Sequence, residues 1–177
     1  KVLQLGILLP TRGIFLNGNS SPDLSSLFAL AEHAENAGLD SLWVGDSLTA
    51  KPRLEPLSTL AAIAMRTHKI KLGTAVLLAP LRRPVQLAQM AATVDLLSNG
   101  RLTLGMGVGG VFTESQRQEW LAAEVPLDHR GARMTELVQV CRQLWTEDNF
   151  TFIGRYFHLE QTTLEPKPAQ LEGIPML

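Results

Sequence analysis

Three short stretches of the 177-residue chain carry side chains whose types and spacing could do chemistry. Gly45-Asp46-Ser47-Leu48 sets a serine directly after an apolar run, where a strand end would present it as a nucleophile. A serine hydroxyl attacks only with a base beside it. None of the four histidines has an aspartate three residues before it, and no G-x-N-D stretch offers an oxyanion site. Gly105, Gly107 and Gly110 match G-x-G-x-x-G, whose glycines let a flat ring or a phosphate approach the backbone. As a dinucleotide fingerprint that pattern should close the first strand of its sheet, with an acid about 20 residues on at a strand end. Here it follows the fourth apolar run, and Asp128 falls in a loop before a helix. Asp95, Ser98 and Arg101 make an acid–hydroxyl–base set at the start of a strand, where a structural ion pair and a helix stop are the expectation. His33 and His68 belong to helices or their ends, and His129 and His158 lack a ligand-spaced partner, so no metal site is expected.

Composition narrows the classes. Sixteen basic and 17 acidic residues give no electrostatic case for nucleic acid or an anionic membrane surface. The only cysteine, Cys141, excludes an internal disulfide and a multi-cysteine zinc site. No apolar run reaches 18 residues, and no basic-then-apolar segment opens the chain, so a cytoplasmic protein is expected. The N-x-[ST] sequences at Asn19 and Asn149 are then chance matches. The chain starts at Lys1 without a methionine, so a few leading residues are expected to be missing or processed.

The elements that must position these residues repeat. Ile70–Leu77, a proline-started helix from Pro84, the Asn99-Gly100 turn and Arg101–Val108 read as one βαβ unit. Its strand ends, Ala75–Pro80 and Gly105–Gly110, are poor in polar side chains, which suits an apolar planar ligand. Val2–Leu9 reads as a first strand and Leu39–Val44 as a second. Between them Ser21 or Asp23 can cap a helix with Leu24, Leu27, Phe28, Ala31 and Ala34 on one face, stopped by Gly38. A helix from Pro56 to about Arg66 follows, with Glu55 at its positive end. Further on, Glu114–Ala122 reads as a short helix and Arg130–Thr146 as a long one. Met134, Leu137, Val138, Cys141, Leu144 and Trp145 form the inner face of the long helix, which makes Cys141 a core thiol. Trp43 and Trp145 read as core residues. Phe150–Leu159 reads as a hairpin around Gly154-Arg155, and Ile174–Leu177 opens another apolar run. Strand starts near residues 2, 39, 70 and 101 give the repeat of about 30 residues that a (β/α)8 barrel requires. A doubly wound sheet also fits the alternation.

Several of these segments together resemble the luciferase-like monooxygenase superfamily. They are GLDSLWVGD at 38–46, Glu55-Pro56-Leu57, LGTAVLLAPLRRPVQLAQ at 72–89, DLLSNGRLTLGMGVGG at 95–110, and the later G-R-Y-F and P-K-P-A-Q. The resemblance implies an α/β fold of the (β/α)8 TIM-barrel type. The chain would cover about the first four β/α units, a half-barrel, plus the hairpin, all in a single α/β domain over 1–177. It also implies an oxidoreductase that uses reduced FMN with oxygen, or coenzyme F420 for hydride transfer, on a small-molecule substrate. The wording GDSL-T-x-x-P-R-L-E-P looks most like the F420-associated branch.

Carried over position by position, the resemblance sets the cofactor ring against Thr74, Ala75 and Val76, with a non-prolyl cis peptide at Ala75–Val76. Asp46, Ser47, Gly107, Val108 and Gly109 would lie beside the ring, and Thr11, Arg12 and Arg53 would meet substrate. Ser47 stands where bacterial luciferase and the F420-dependent sugar-phosphate dehydrogenase have a histidine, and Gly110 where that dehydrogenase has a glutamate. Gly107 replaces the reactive cysteine of luciferase. Sugar-phosphate oxidation and light emission are therefore not expected, and no catalytic acid or base emerges. Two other readings stand beside this one: a GDSL-type esterase using Ser47, and a half-barrel that binds without chemistry. Four strands cannot close a barrel, so a homodimer or association with a C-terminal half is expected to cover the open sheet.

Overall fold

The computed structural model describes residues 3–16 and 22–177. Val2, Asn19 and Ser21, named above, lie outside the described residues. Four parallel strands, β1 (Gly6–Leu8), β2 (Ser41–Val44), β3 (Lys71–Leu77) and β4 (Leu102–Met106), lie side by side in chain order. Helices α1 (Ser25–Asn36), α2 (Pro56–Ala64) and α3 (Pro84–Leu97) make the crossovers. After β4 come α4 (Glu114–Ala122), α5 (Arg130–Thr146) and an antiparallel hairpin, β5 (Phe150–Ile153) and β6 (His158–Thr162). Sequential parallel strands with a helix at every crossover are the wall of a (β/α) barrel. Residues 175–177 add to that wall. Leu104 N–H donates to Pro175 O at 2.8 Å, Leu177 N–H to Leu104 O at 2.9 Å, and Met106 N–H to Leu177 O at 2.9 Å.

The local chemistry of the ends explains the bounds. Asp23 accepts the Ser25 N–H at 2.8 Å and the Ser25 hydroxyl at 2.6 Å, so it holds the start of α1. Glu55 caps α2 by accepting the Ser58 N–H at 2.7 Å. The first strand is shorter than its apolar run because pairing with β2 covers only Gly6–Leu8. The set at 95–101 is structural, but its expected ion pair is absent. Asp95 accepts the Gln170 N–H at 3.0 Å and the Gln170 Nε2–H at 2.8 Å. Arg101 donates instead to the carbonyls of Ile70, Ala64, Thr67 and Ser98. Each group finds backbone partners closer than the other, and together they tie the bottoms of β3 and β4 to the neighbouring helix ends.

The two sheet faces differ sharply. Leu42, Val44, Leu72, Leu102 and Leu104 point outward and are buried under the helices with Leu27, Leu60, Leu87 and Leu144. Trp145 belongs to this core and donates Nε1–H to Ala88 O at 3.0 Å. Cys141 is fully buried there, and burial pushes its thiol up to about 12, so it is an inert core residue. Trp43 is not in that core. Strand alternation turns it to the opposite, concave face, where it is half-buried and donates Nε1–H to Ser41 Oγ at 2.9 Å.

Trp43 lies flat because its neighbours have no side chains. A β-carbon at Gly73 would strike the Trp43 ring, and one at Gly6 would strike the Ser41 hydroxyl with Trp43 Nε1 only 2.9 Å away. A β-carbon at Gly105 would strike the Thr74 carbonyl oxygen, which is backbone and cannot turn aside. Overpacking of this kind costs about 1–3 kcal/mol. Gly73→Ala and Gly105→Ala should each lose about that much in urea denaturation followed by circular dichroism. In a Trp43→Leu background the Gly73→Ala cost should fall while the Gly105→Ala cost persists. Equal costs in both backgrounds would contradict the slot.

Candidate functional site

The concave face opens at the carboxyl ends of the strands into a hollow of about 570 Å³. Trp43 and Gly105 are its floor, Thr74, Ala75 and Val76 one wall, and Leu8, Met106 and Leu177 the apolar rim. The wall exists because β3 is irregular there. Thr74 pairs with Leu104 but Leu77 with Met106, so β3 holds one residue more than β4 across this step. The extra residue pushes Ala75 and Val76 out of the ladder into the hollow, and the Ala75–Val76 peptide is cis, as the resemblance implied. Thr74 stays buried, its hydroxyl donating to Gly105 O at 2.8 Å. A smaller groove of about 190 Å³ between α2 and α3 lies on the outer surface, away from the strand ends.

Asp46 is placed beside this wall but is fully engaged. Its Oδ2 accepts the Leu78 N–H at 2.8 Å, and its two oxygens take Arg82 Nη1 at 2.5 Å and Nη2 at 3.1 Å. The Asp46 side chain has no exposed area and that of Arg82 is 9% exposed. Arg82 also reaches Glu55 at 3.4 Å. The bidentate pair therefore bolts the end of β2 to the turn after β3. Arg82 was not singled out from the sequence, because its partner lies 36 residues away and nothing local announces it.

Gly107, Val108 and Gly109 run along the end of β4. A β-carbon at Gly107 would meet Val76 Cγ2 at 2.6 Å, so this glycine lets the β4 end pass close to the bulge. Val108 is 43% exposed. Gly109 has φ +72° and packs on Trp120, whose ring carries the Arg130 guanidinium 5.4 Å from its centroid. Trp120 Nε1 and Arg130 Nη1 are buried without an acceptor. The glycines do not open a helix: α4 starts at Glu114, capped by Thr113 and Gln116 in a reciprocal box. The dinucleotide fingerprint is thereby removed. On the other side of the mouth, Thr11 is buried, and Arg12 and Arg53 are half-buried. His33 and His68 are exposed, and no group of three potential metal ligands exists among the described residues.

Ser47 faces a carboxylate whose oxygen is already fully engaged. Its hydroxyl donates to Glu119 Oε1 at 2.7 Å and accepts the Lys51 N–H at 3.0 Å. The same Glu119 oxygen accepts the N–H groups of Leu48 at 2.6 Å, Thr49 at 3.0 Å and Ala50 at 3.2 Å. Burial raises the Glu119 pKa, but the Ser47 hydroxyl and the amides of Thr49, Ala50 and Leu48 outweigh it and hold the carboxyl below its ordinary value. A carboxylate so occupied cannot activate the serine, so the esterase reading fails on geometry. Glu119 was missed because its partners lie about 70 residues away; a buried-helix glutamate next to Trp120 was the only local signal. Because the folded value is depressed, this contribution is complete above the ordinary carboxylate range and is lost as pH falls through the folded value. Glu119→Gln should therefore cost about 2 kcal/mol at neutral pH, and its difference from wild type should shrink in acid. Thermal melts across pH test this; a difference independent of pH would contradict it.

The profile of the luciferase-like monooxygenase family matches residues 3–177. An F420-dependent glucose-6-phosphate dehydrogenase of Amycolatopsis mediterranei is 37% identical over 153 residues, 81% of this chain and 44% of that protein. The oxygenase component of the flavin-dependent trigonelline monooxygenase of Acinetobacter baylyi is 29% identical over 154 residues, 85% of this chain and 41% of that protein. Among solved structures, the monooxygenase RslO1 of Streptomyces bottropensis superposes with a TM-score of 0.82 at 27% identity, covering 98% of this chain and 52% of that one. The chain thus spans about half the length of the proteins it matches. None of these relatives supports ester hydrolysis. The chain belongs to the luciferase-like monooxygenase family.

Proposed function

We propose that residues 1–177 are one domain, the cofactor-side half of a luciferase-like oxidoreductase, with the ring of FMN or F420 lying in the hollow over Trp43. The observation that carries this reading is the hollow itself: apolar, within the ~300–1,000 Å³ usual for small-molecule sites, and walled by backbone at Ala75–Val76. Trp43 offers a flat floor, and Leu8, Val76 and Met106 exclude water from the ring. Gly107 and Val108 follow Met106 at the end of β4, where the cofactor's phosphate-bearing side chain would leave the ring. Bound there, the cofactor would supply hydride transfer or, with oxygen, oxygen insertion. Asp46 and Ser47 act in this reading by fixing the loops around the ring, since both are held by buried partners. The Amycolatopsis relative is named for glucose 6-phosphate. This chain has Ser47 and Gly110 where the resemblance implies the histidine and glutamate of that activity, so we read a different small organic substrate.

The same hollow argues for a covering half. Leu5, Leu8 and Leu177 are 58%, 61% and 74% exposed on the strands or their ends. Keeping ~400 Å² of such surface wet would cost ~10 kcal/mol, comparable to a domain's net stability. A second copy of this chain or a C-terminal half of the barrel would cover this face, packed beside residues 175–177 where they pair with Leu104. Light scattering on the 177-residue protein should show self-association, relieved by adding a C-terminal half. A folded, cooperative monomer would contradict this.

Titration with FMN and with F420 tests the cofactor reading. One of them should bind saturably, quenching tryptophan emission, and Trp43→Ala should weaken that binding because Trp43 lines the hollow. Absence of binding for both would leave a half-barrel without redox chemistry.

A further inference from the structure

Along β2, Trp43 faces the hollow and Val44 faces the helices, and Gly45 follows the strand end. The Arg53 guanidinium lies where a β-carbon at Gly45 would be, with Nη1 directly on that position and Cζ at 2.9 Å. The guanidinium therefore packs on the backbone just past the end of β2, two residues after Trp43. Among the described residues Arg53 is in no ion pair and donates no hydrogen bond, and its Nε is buried without an acceptor.

The nearby carboxylates cannot serve it. Asp46 is held by Arg82 and the Leu78 N–H, and Glu55 by the Ser58 N–H and Arg82. The loop before α1 brings more unused polar atoms to the same place. Leu54 N–H donates to Thr11 O at 3.3 Å, which joins the two loops. Thr11 is 1% exposed with Oγ1 unpartnered, and Arg12 has its Nε buried without an acceptor. Buried donors without acceptors are rare unless a ligand or ordered water completes them. A planar guanidinium without a carboxylate partner is matched by an oxyanion.

We infer that the substrate is an anionic organic molecule whose carboxylate or phosphate is received by Arg53, with Thr11 and Arg12 beside it. This rests on the cofactor reading above: the ring occupies the Val76 side of the hollow, and the anion is held on the β1–β2 side. Arg53 is then a specificity-determining residue that orients the substrate's reacting carbon toward the ring.

Calorimetric titration with benzoate, phenyl phosphate and the neutral benzamide tests it, on the protein alone and saturated with its cofactor. The anions should bind in both states and benzamide about tenfold or more weakly. Arg53→Gln should abolish the preference for the anions, Arg53→Lys should keep part of it, and cofactor affinity should be unchanged in both variants. Three results would overturn the proposal: Arg53→Gln binding benzoate like wild type, benzamide binding as well as benzoate, or the anions competing with a cofactor whose affinity falls in Arg53→Gln. The last would assign Arg53 to the cofactor's own phosphate. Anion binding through Arg53 without any flavin or F420 binding would remove the oxidoreductase reading and the orientation role, while leaving an anion site.

Discussion

The pairing of Asp46 with Arg82 is the contact on which the mouth of this half-barrel depends. Loops beyond strand ends have no ladder to hold them, and here the end of β2 and the turn after β3 are joined through one carboxylate with two partners. Buried ion pairs are weak sources of net stability but costly to break, because removing one partner strands the other charge. That asymmetry suits a site whose geometry must be single-valued. Glu119 repeats the device one loop further on, gathering three successive amides and a hydroxyl onto one oxygen. Glu35 does it at the opposite end of the sheet, accepting the N–H groups of His68, Lys69 and Ile70. Carboxylates on helices or strand ends thus anchor loops that regular structure leaves free.

With the loops fixed, the shape of the hollow follows from two departures from regular strand structure. Missing side chains at Gly6, Gly73 and Gly105 let one large indole lie across the concave face. One extra residue in β3 turns Ala75 and Val76 toward it. The result is a surface with a flat floor and few polar groups. Such a surface suits the flat ring of the proposed cofactor.

Much of this was legible in the sequence where the determinants are local. The positions of α4 and α5 agree with their patterns, since the capping box of α4 and the 3.6-residue periodicity of α5 are local. The four-strand repeat was legible for the same reason. What was not legible is long-range. Periodicity says that Trp43 and Val44 point opposite ways, yet not which of two apolar faces meets the helices, so Trp43 was assigned to the wrong side. Asp95 and Arg101, close in sequence and opposite in charge, looked like a pair, but carbonyls and amides from distant segments claimed them first. Ser47 looked reactive from its neighbours and is tethered by a residue 72 positions away.

The central claim is that the ring of the cofactor lies on the inner face of this sheet, over Trp43 and against Ala75–Val76. A crystal structure of the protein with FMN or F420 bound tests that claim most directly. The account predicts ring atoms within about 4 Å of the Trp43 indole and of the Ala75–Val76 backbone, with the side chain running toward Gly109 and Arg130. A ring bound on the outer surface between α2 and α3, with the inner hollow holding only solvent, would contradict it.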